Sequence, residues 1–173
     1  MAKIIKKNQF LGYSGLSFSV LADCHWKVNQ IRQRVFRVHR STESILLRFR
    51  SDFLKHPNSF ARGDSLSLCD YSLMEVYRDQ VDPYLALLRR FYSFHDYAVM
   101  LARLLPNSSI PQHLDRGEYF ELSYRIHIPI ETTDKAYFVL GANVFNMVRS
   151  GIYEINNTGC RHGVFNKSGR PRD

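Results

Sequence analysis

The sequence predicts an α+β fold that becomes mainly β in its second half, as a sandwich or a small barrel. Helix-compatible segments fall within the first 95 residues. From residue 97 onward the chain breaks into short apolar runs divided by turn residues. A hydrophobic content of 45% in 173 residues suits one domain with a core of its own.

Taken in chain order, "LADCHWKVNQIRQRVFRV" (21–38) reads as a helix capped by Asp23, with Trp26, Ile31 and Val35 on its apolar side. "SILLRFRS" (44–51) reads as a short strand, and "HPNSFARGDS" (56–65) as a loop by its Pro, Asn and Gly content. "DPYLALLRRFYSF" (82–94) has the marks of a helix, with Asp82 at the cap and Pro83 at the first helical position. "YAVMLARLL" (97–105) is a strand that ends at the turn "PNSS". "YFELSYRIHIPI" (119–130) alternates apolar and polar residues with period two, the pattern of a strand. "AYFVLGANVFNMV" (136–148) reads as two short strands around Gly141-Ala142-Asn143. "GIYEINN" (151–157) and "HGVFNKS" (162–168) complete the series.

Composition narrows the function. The net charge of +8 favours anionic partners, but it is spread along the chain, with "KIIKK" and "RPRD" the densest patches. No RNP, helix-turn-helix or zinc-finger pattern accompanies it, so nucleic acid is not an expected partner. Cys24, Cys69 and Cys160 are far apart and odd in number, which argues against a disulfide scaffold and fits a reducing cytoplasm better. No apolar run follows the basic start, and none approaches the roughly 20 residues of a membrane span. A soluble cytoplasmic protein is the expectation.

The chemistry centres on "IPQHLDRG". His113 and Asp115, two apart at a strand end, point to the same side and can share a metal ion. A third ligand is needed, and His162, after "NNTGC", is the candidate. Two histidines and one carboxylate make the facial triad of non-haem Fe(II) oxygenases. HxD alone is also what a turn aspartate beside a surface histidine would give. Arg125 and His127 share one face of the 119–130 strand, as an outward polar face or, inside a barrel, as an anion-binding pair. Arg172, ten positions after His162, could clamp a carboxylate with two parallel hydrogen bonds. His39 and Arg40 read as a solvated strand entry, Asn156 and Asn157 as turn residues, and Cys160 as a small turn residue. Arg103 would line the barrel or lie outside it, and His25, His56 and His95 show no partner spacing.

Together, "MLARLLPNSSIPQHLDRG", "RIHIPIETT" and "GIYEINNTGCRHGVFNKSGRPR" resemble the aspartyl/asparaginyl/prolyl hydroxylase family of Fe(II)- and 2-oxoglutarate-dependent dioxygenases, over about residues 97–172. The resemblance implies a double-stranded β-helix, a cupin-like jelly roll, with N-terminal helices packed on one sheet. It implies His113 and His162 as iron ligands and Asp115 as the carboxylate ligand present in some members, as in the free-proline cis-hydroxylases. Arg125 and His127 match residues that contact 2-oxoglutarate, and Arg172 matches the arginine paired with its far carboxylate. The implied reaction uses O2 and 2-oxoglutarate to hydroxylate an amino acid, free or in a peptide or protein, and yields succinate and carbon dioxide. The basic surface suits an acidic substrate. The expected organisation is one domain over 1–173, with a mixed part over about 1–95 and a jelly-roll core over about 97–173. Asp173 stands one residue past Arg172, where the family's barrel runs on, so the last strand is expected to be cut short. A non-catalytic cupin-like binding or structural domain is therefore the alternative.

Overall fold

The computed structural model of the chain describes residues 5–20, 26–28, 37–51, 53 and 67–172. They form an α+β fold that is mainly β, with antiparallel strands and few helices. The first sheet is built on β3 (Thr42–Arg50). β2 (Lys27–Val28) and β4 (Leu68–Asp70) share one edge of it, and β5 (Val99–Leu104) takes the other. Helix α1 (Met74–Leu88) covers this sheet. Its buried Met74, Tyr77 and Val81 recur every three to four residues, so they lie on one face. That face packs on Ile45, Leu47 and Leu101 with Phe18, forming the first core.

The other two sheets carry the site. One has the order β1 (Gln9–Tyr13), β10 (Gly151–Glu154), β7 (Ile126–His127). Its neighbour runs β6 (Ser108–His113), β11 (His162–Asn166), β8 (Ala136–Leu140), β9 (Asn143–Phe145). The chain shuttles between them. After β6 it crosses to β7, returns for the β8–β9 hairpin, crosses to β10 and returns to β11. The second core lies between the two sheets, where Tyr153 of β10 meets Phe138 and Leu140 of β8 and Val164 of β11.

Several expected elements are present: the strands over 44–51, 97–105, 151–157 and 162–168, and the hairpin around Gly141, whose φ of 61° suits the first place of a two-residue loop. Three differ. The 82–94 helix begins instead at Met74 and ends at Leu88, so Pro83 sits inside it rather than at its start. The apolar face that begins at Met74 continues through Tyr84 and Leu85 onto the first core, while Pro83 itself is exposed. Burial along that face outweighs the hydrogen bond that proline cannot make.

The 119–130 segment is not one strand. Gly117, at φ 113°, turns the chain into a short helix α2 (Glu118–Glu121), and the strand is confined to Ile126–His127. Pro129 has no N–H to extend the ladder with β10. The 21–38 helix is contradicted where it is described, because Lys27–Val28 are a strand paired with β3 and Arg37–His39 form a 3-10 turn. Asp23, Ile31 and Val35 lie outside the described residues, as does the loop over 56–65. Among the described residues, no helix is long and apolar enough to cross a membrane.

Candidate metal centre

The β6–β11 ladder sets His113 directly opposite His162, the last residue of one strand against the first of the other. Gly163 permits the close approach. A Cβ there would lie 2.8 Å from the Ile110 carbonyl oxygen and 3.1 Å from the Gln112 nitrogen, which any side chain would force apart. The two imidazole rings come to 4.4 Å between centroids. Asp115 follows after one intervening residue, and its backbone N–H donates to the Asn157 carbonyl at 2.9 Å. This places one carboxylate oxygen 3.5 Å from His113 Nε2 and the other 4.0 Å from His162 Nε2. One ligand atom from each of the three lies within 4.8 Å of the others. Among the described residues no other group of three His, Cys, Asp or Glu side chains converges in this way.

Ring orientation follows from the opposite nitrogens. His113 Nδ1 lies 2.8 Å from the Pro111 carbonyl, and His162 Nδ1 lies a looser 3.5 Å from the Cys160 carbonyl. With the proton on Nδ1, both rings donate to backbone oxygen and turn the Nε2 lone pair inward, the tautomer a metal needs.

The electrostatics favour a charged carboxylate that holds a proton on the His113 side and faces a neutral ring at His162. Burial opposes the charge on Asp115, but the His113 contact, the Arg125 guanidinium and the Asn157 amide outweigh it and hold the carboxyl well below the usual range. His162 is pushed down, mainly by burial, and is neutral. Burial also pulls on His113, yet the Asp115 carboxylate and the Pro111 carbonyl carry it above its ordinary value. Arg125, which ends the turn before β7, acts on all three groups, so its charge stands beside the centre.

A second group of polar atoms lies close by. His127 is half-buried with its Nε2 closed off from solvent, and desolvation followed by the Arg125 charge pushes it far down, so its ring is neutral. Arg172 is tied to β5 by a two-way backbone bridge with Leu104, at 2.7 and 2.9 Å. Burial lowers its guanidinium to about 10, which leaves it charged at neutral pH. Its charge is felt at His127. His127 Nε2 and Arg172 Nε are both buried and have no hydrogen-bond partner among the described residues. An orphaned buried donor on a cationic group, as at Arg172 Nε, is costly. It fits a site that an anion completes.

The structure thus brings His113, Asp115 and His162 together, sets Arg125 and His127 within electrostatic reach of them, and links Arg172 to His127 through its charge. Three further residues border the centre. Asn157, read from sequence as a turn residue, is 1% exposed and donates through Nδ2 to Asp115 at 2.7 Å. Lys6 donates to the Asn157 side-chain oxygen at 2.9 Å and to the Phe120 carbonyl. His39, expected in solvent, packs its ring edge-on to His113 with centroids 5.7 Å apart. Asn156 does take a turn role, accepting from the Gly159 N–H at 2.9 Å. Arg103 lies away from the centre, over the Trp26 ring at 3.9 Å and beside Glu43. Cys160 stands outside the converging set, Arg40 and His95 are exposed, and His25 and His56 fall outside the described residues.

No protein-family model matches the chain, and a search of the curated proteins finds no match. The arrangement itself has a defined chemical capacity. Two imidazole nitrogens and one carboxylate on one side of a divalent ion leave the other positions open to ligands.

Proposed function

We propose that the chain is an Fe(II)- and 2-oxoglutarate-dependent dioxygenase that hydroxylates an amino acid, free or within a peptide. The observation that carries the reading is the pairing of the His113–Asp115–His162 cluster with the orphaned buried nitrogens of His127 and Arg172. A metal triad beside a buried anion site is what a keto-acid cosubstrate requires, since one end of the molecule chelates and the other must be held. The shuttling of successive strands between two facing sheets is in keeping with a jelly roll.

In this reading His113, Asp115 and His162 hold the iron. Bound iron and cosubstrate supply the oxidising chemistry, in which 2-oxoglutarate and O2 give succinate, carbon dioxide and a hydroxylated C–H position. The chain's own residues do the rest. The Pro111 and Cys160 carbonyls fix the two imidazole tautomers. Arg172 offers its guanidinium to the far carboxylate, and neutral His127 offers Nε2 without adding a charge. Arg125 compensates the negative charge that a chelating carboxylate brings to the centre. Phe138, buried and parallel to the His162 ring at 6.4 Å, makes that flank of the site apolar. The net charge of +8 suits a substrate that carries carboxylates.

The test is succinate release from 2-oxoglutarate under O2, with and without Fe(II), against panels of acidic amino acids and peptides. Fe(II)-dependent succinate that His162→Ala abolishes would support the reading. Metal uptake with no turnover on any panel would point instead to a non-catalytic cupin-like binding domain.

A further inference from the structure

The N-terminal segment is laced to the stretch that leads into β11. The Lys7 N–H and Gln9 Nε2 donate to the two oxygens of Glu154, at 2.6 and 2.7 Å. The Asn8 side-chain oxygen accepts from the Asn156 N–H at 2.7 Å. Lys6 donates to Asn157 at 2.9 Å and to the Phe120 carbonyl. Four consecutive residues therefore bond to partners between 154 and 157, from 145 to 151 positions away in sequence.

Lys6 is the unusual member, because its side chain is buried, at 9% exposure. An ammonium is rarely kept from water unless something compensates it. Its two acceptors are neutral oxygens, and the carboxylate of Asp115 lies one residue further, on the other end of the Asn157 amide. The chemistry of the chain is directional. An ammonium can only donate, so the Asn157 oxygen must face Lys6. The amide NH2 is then forced towards Asp115, where it donates at 2.7 Å to the oxygen nearer His162. The Asp115 N–H, bonded to the Asn157 carbonyl at 2.9 Å, holds the same pair from the backbone.

We propose that Lys6 and Asn157 are positioning residues for the metal-binding carboxylate of Asp115: the ammonium sets the amide, and the amide sets the plane of the carboxylate. Neither touches the metal. The proposal rests on the metal-centre reading above, and it gives the N-terminal segment a role in a site built from the far end of the chain. It also predicts that loss of either residue acts through Asp115 and not through the two histidines.

The experiment is a titration of the full chain with Co(II), a spectroscopically visible divalent probe, read by calorimetry and by its visible absorption. It compares the wild type with Asn157→Leu, Lys6→Met, Asp115→Ala, and each of the first two combined with Asp115→Ala. Asn157→Leu should weaken Co(II) binding about 10–100-fold, the usual effect of losing an outer partner of a metal ligand. Lys6→Met should weaken it in the same direction by less. Both effects should nearly vanish once Asp115 is Ala, because the group they position is gone. Wild-type affinity in both single variants would overturn the proposal. So would a loss in Asn157→Leu that persists undiminished without Asp115, which would make the amide a prop of the fold. Should Asn157→Leu not fold, the Lys6→Met cycle with Asp115→Ala decides alone. A folded wild type that takes up no Co(II) would overturn the metal-centre reading itself, and the proposal with it.

Discussion

A metal ion bound as proposed would compete with a proton for the Nε2 of His113. Burial works against the imidazolium, but Asp115 and the Pro111 carbonyl more than restore it, so this histidine holds its proton above the ordinary range. His162, pushed down by burial, gives up its proton earlier. Metal affinity should therefore level off at pH above the raised His113 value and fall as pH drops through it, by about tenfold per pH unit for the one proton displaced. Co(II) titrations between about pH 5 and 8, where histidine charge changes, would show this. A flat profile would contradict it. Arg172 gives a second prediction. Its buried Nε is orphaned, so Arg172→Met should leave the thermal stability of the ligand-free protein unchanged or raised. The same substitution should weaken 2-oxoglutarate binding by about 2–5 kcal/mol and spare Co(II) binding. At this scale the sequence was informative where spacing was short. His113 and Asp115 are two apart at a strand end, and that local geometry survives folding. Asn157 does lie in a turn as read, but its contact with Asp115, like the contacts of Lys6 and His39, was missed because the partners are distant in sequence and no local pattern records such a contact.

Among the elements, the β6–β11 ladder does most to make the centre. It places two histidines face to face only because Gly163 leaves room beside the β6 backbone. Gly163→Ala would set a Cβ 2.8 Å from the Ile110 carbonyl, a contact with backbone that cannot swing aside. The expected cost is about 1–3 kcal/mol of stability, as for other overpacked sites, with weaker Co(II) binding as the strands separate. Thermal unfolding and metal titration of the one variant measure both. The hairpin around Gly141 and the strands β10 and β11 were legible because turn residues and apolar runs define them locally. The 119–130 segment was not. Its alternation suits a strand, but Gly117 at positive φ starts a helical turn, and Pro129 ends the ladder after two residues. The early start of α1 was masked by Pro83, whose preference for first turns is a local rule that burial of the Met74 face overrides.

Over the whole molecule, two cores divide the labour. The first, around Leu47, Met74 and Tyr77, braces α1 on the β3 sheet, and the second, around Phe138 and Tyr153, lies beneath the centre. Leu47→Ala should cost about 2–5 kcal/mol of stability while the folded fraction binds Co(II) as before. Saturating metal should offset part of the loss, by about 2.7 kcal/mol at a hundredfold excess over the dissociation constant. Calorimetric unfolding with and without Co(II) tests both statements. An α+β fold that is mainly β could be read from the pattern of apolar runs and turn residues along the chain. The order of the sheets could not, because β10 pairs with β1 and β7, and β11 with β6 and β8, and none of these is its neighbour in sequence.

We propose that the His113–Asp115–His162 cluster and its neighbours hold a divalent metal and a keto acid together. Anaerobic addition of Fe(II) and then 2-oxoglutarate tests it most directly, through the weak visible charge-transfer band of a chelated keto acid. The account predicts a band that appears only with both additions, is lost in His113→Ala and His162→Ala, and needs far more 2-oxoglutarate in Arg172→Met. A folded protein that gives no band, or one whose band survives the loss of either histidine, would contradict it.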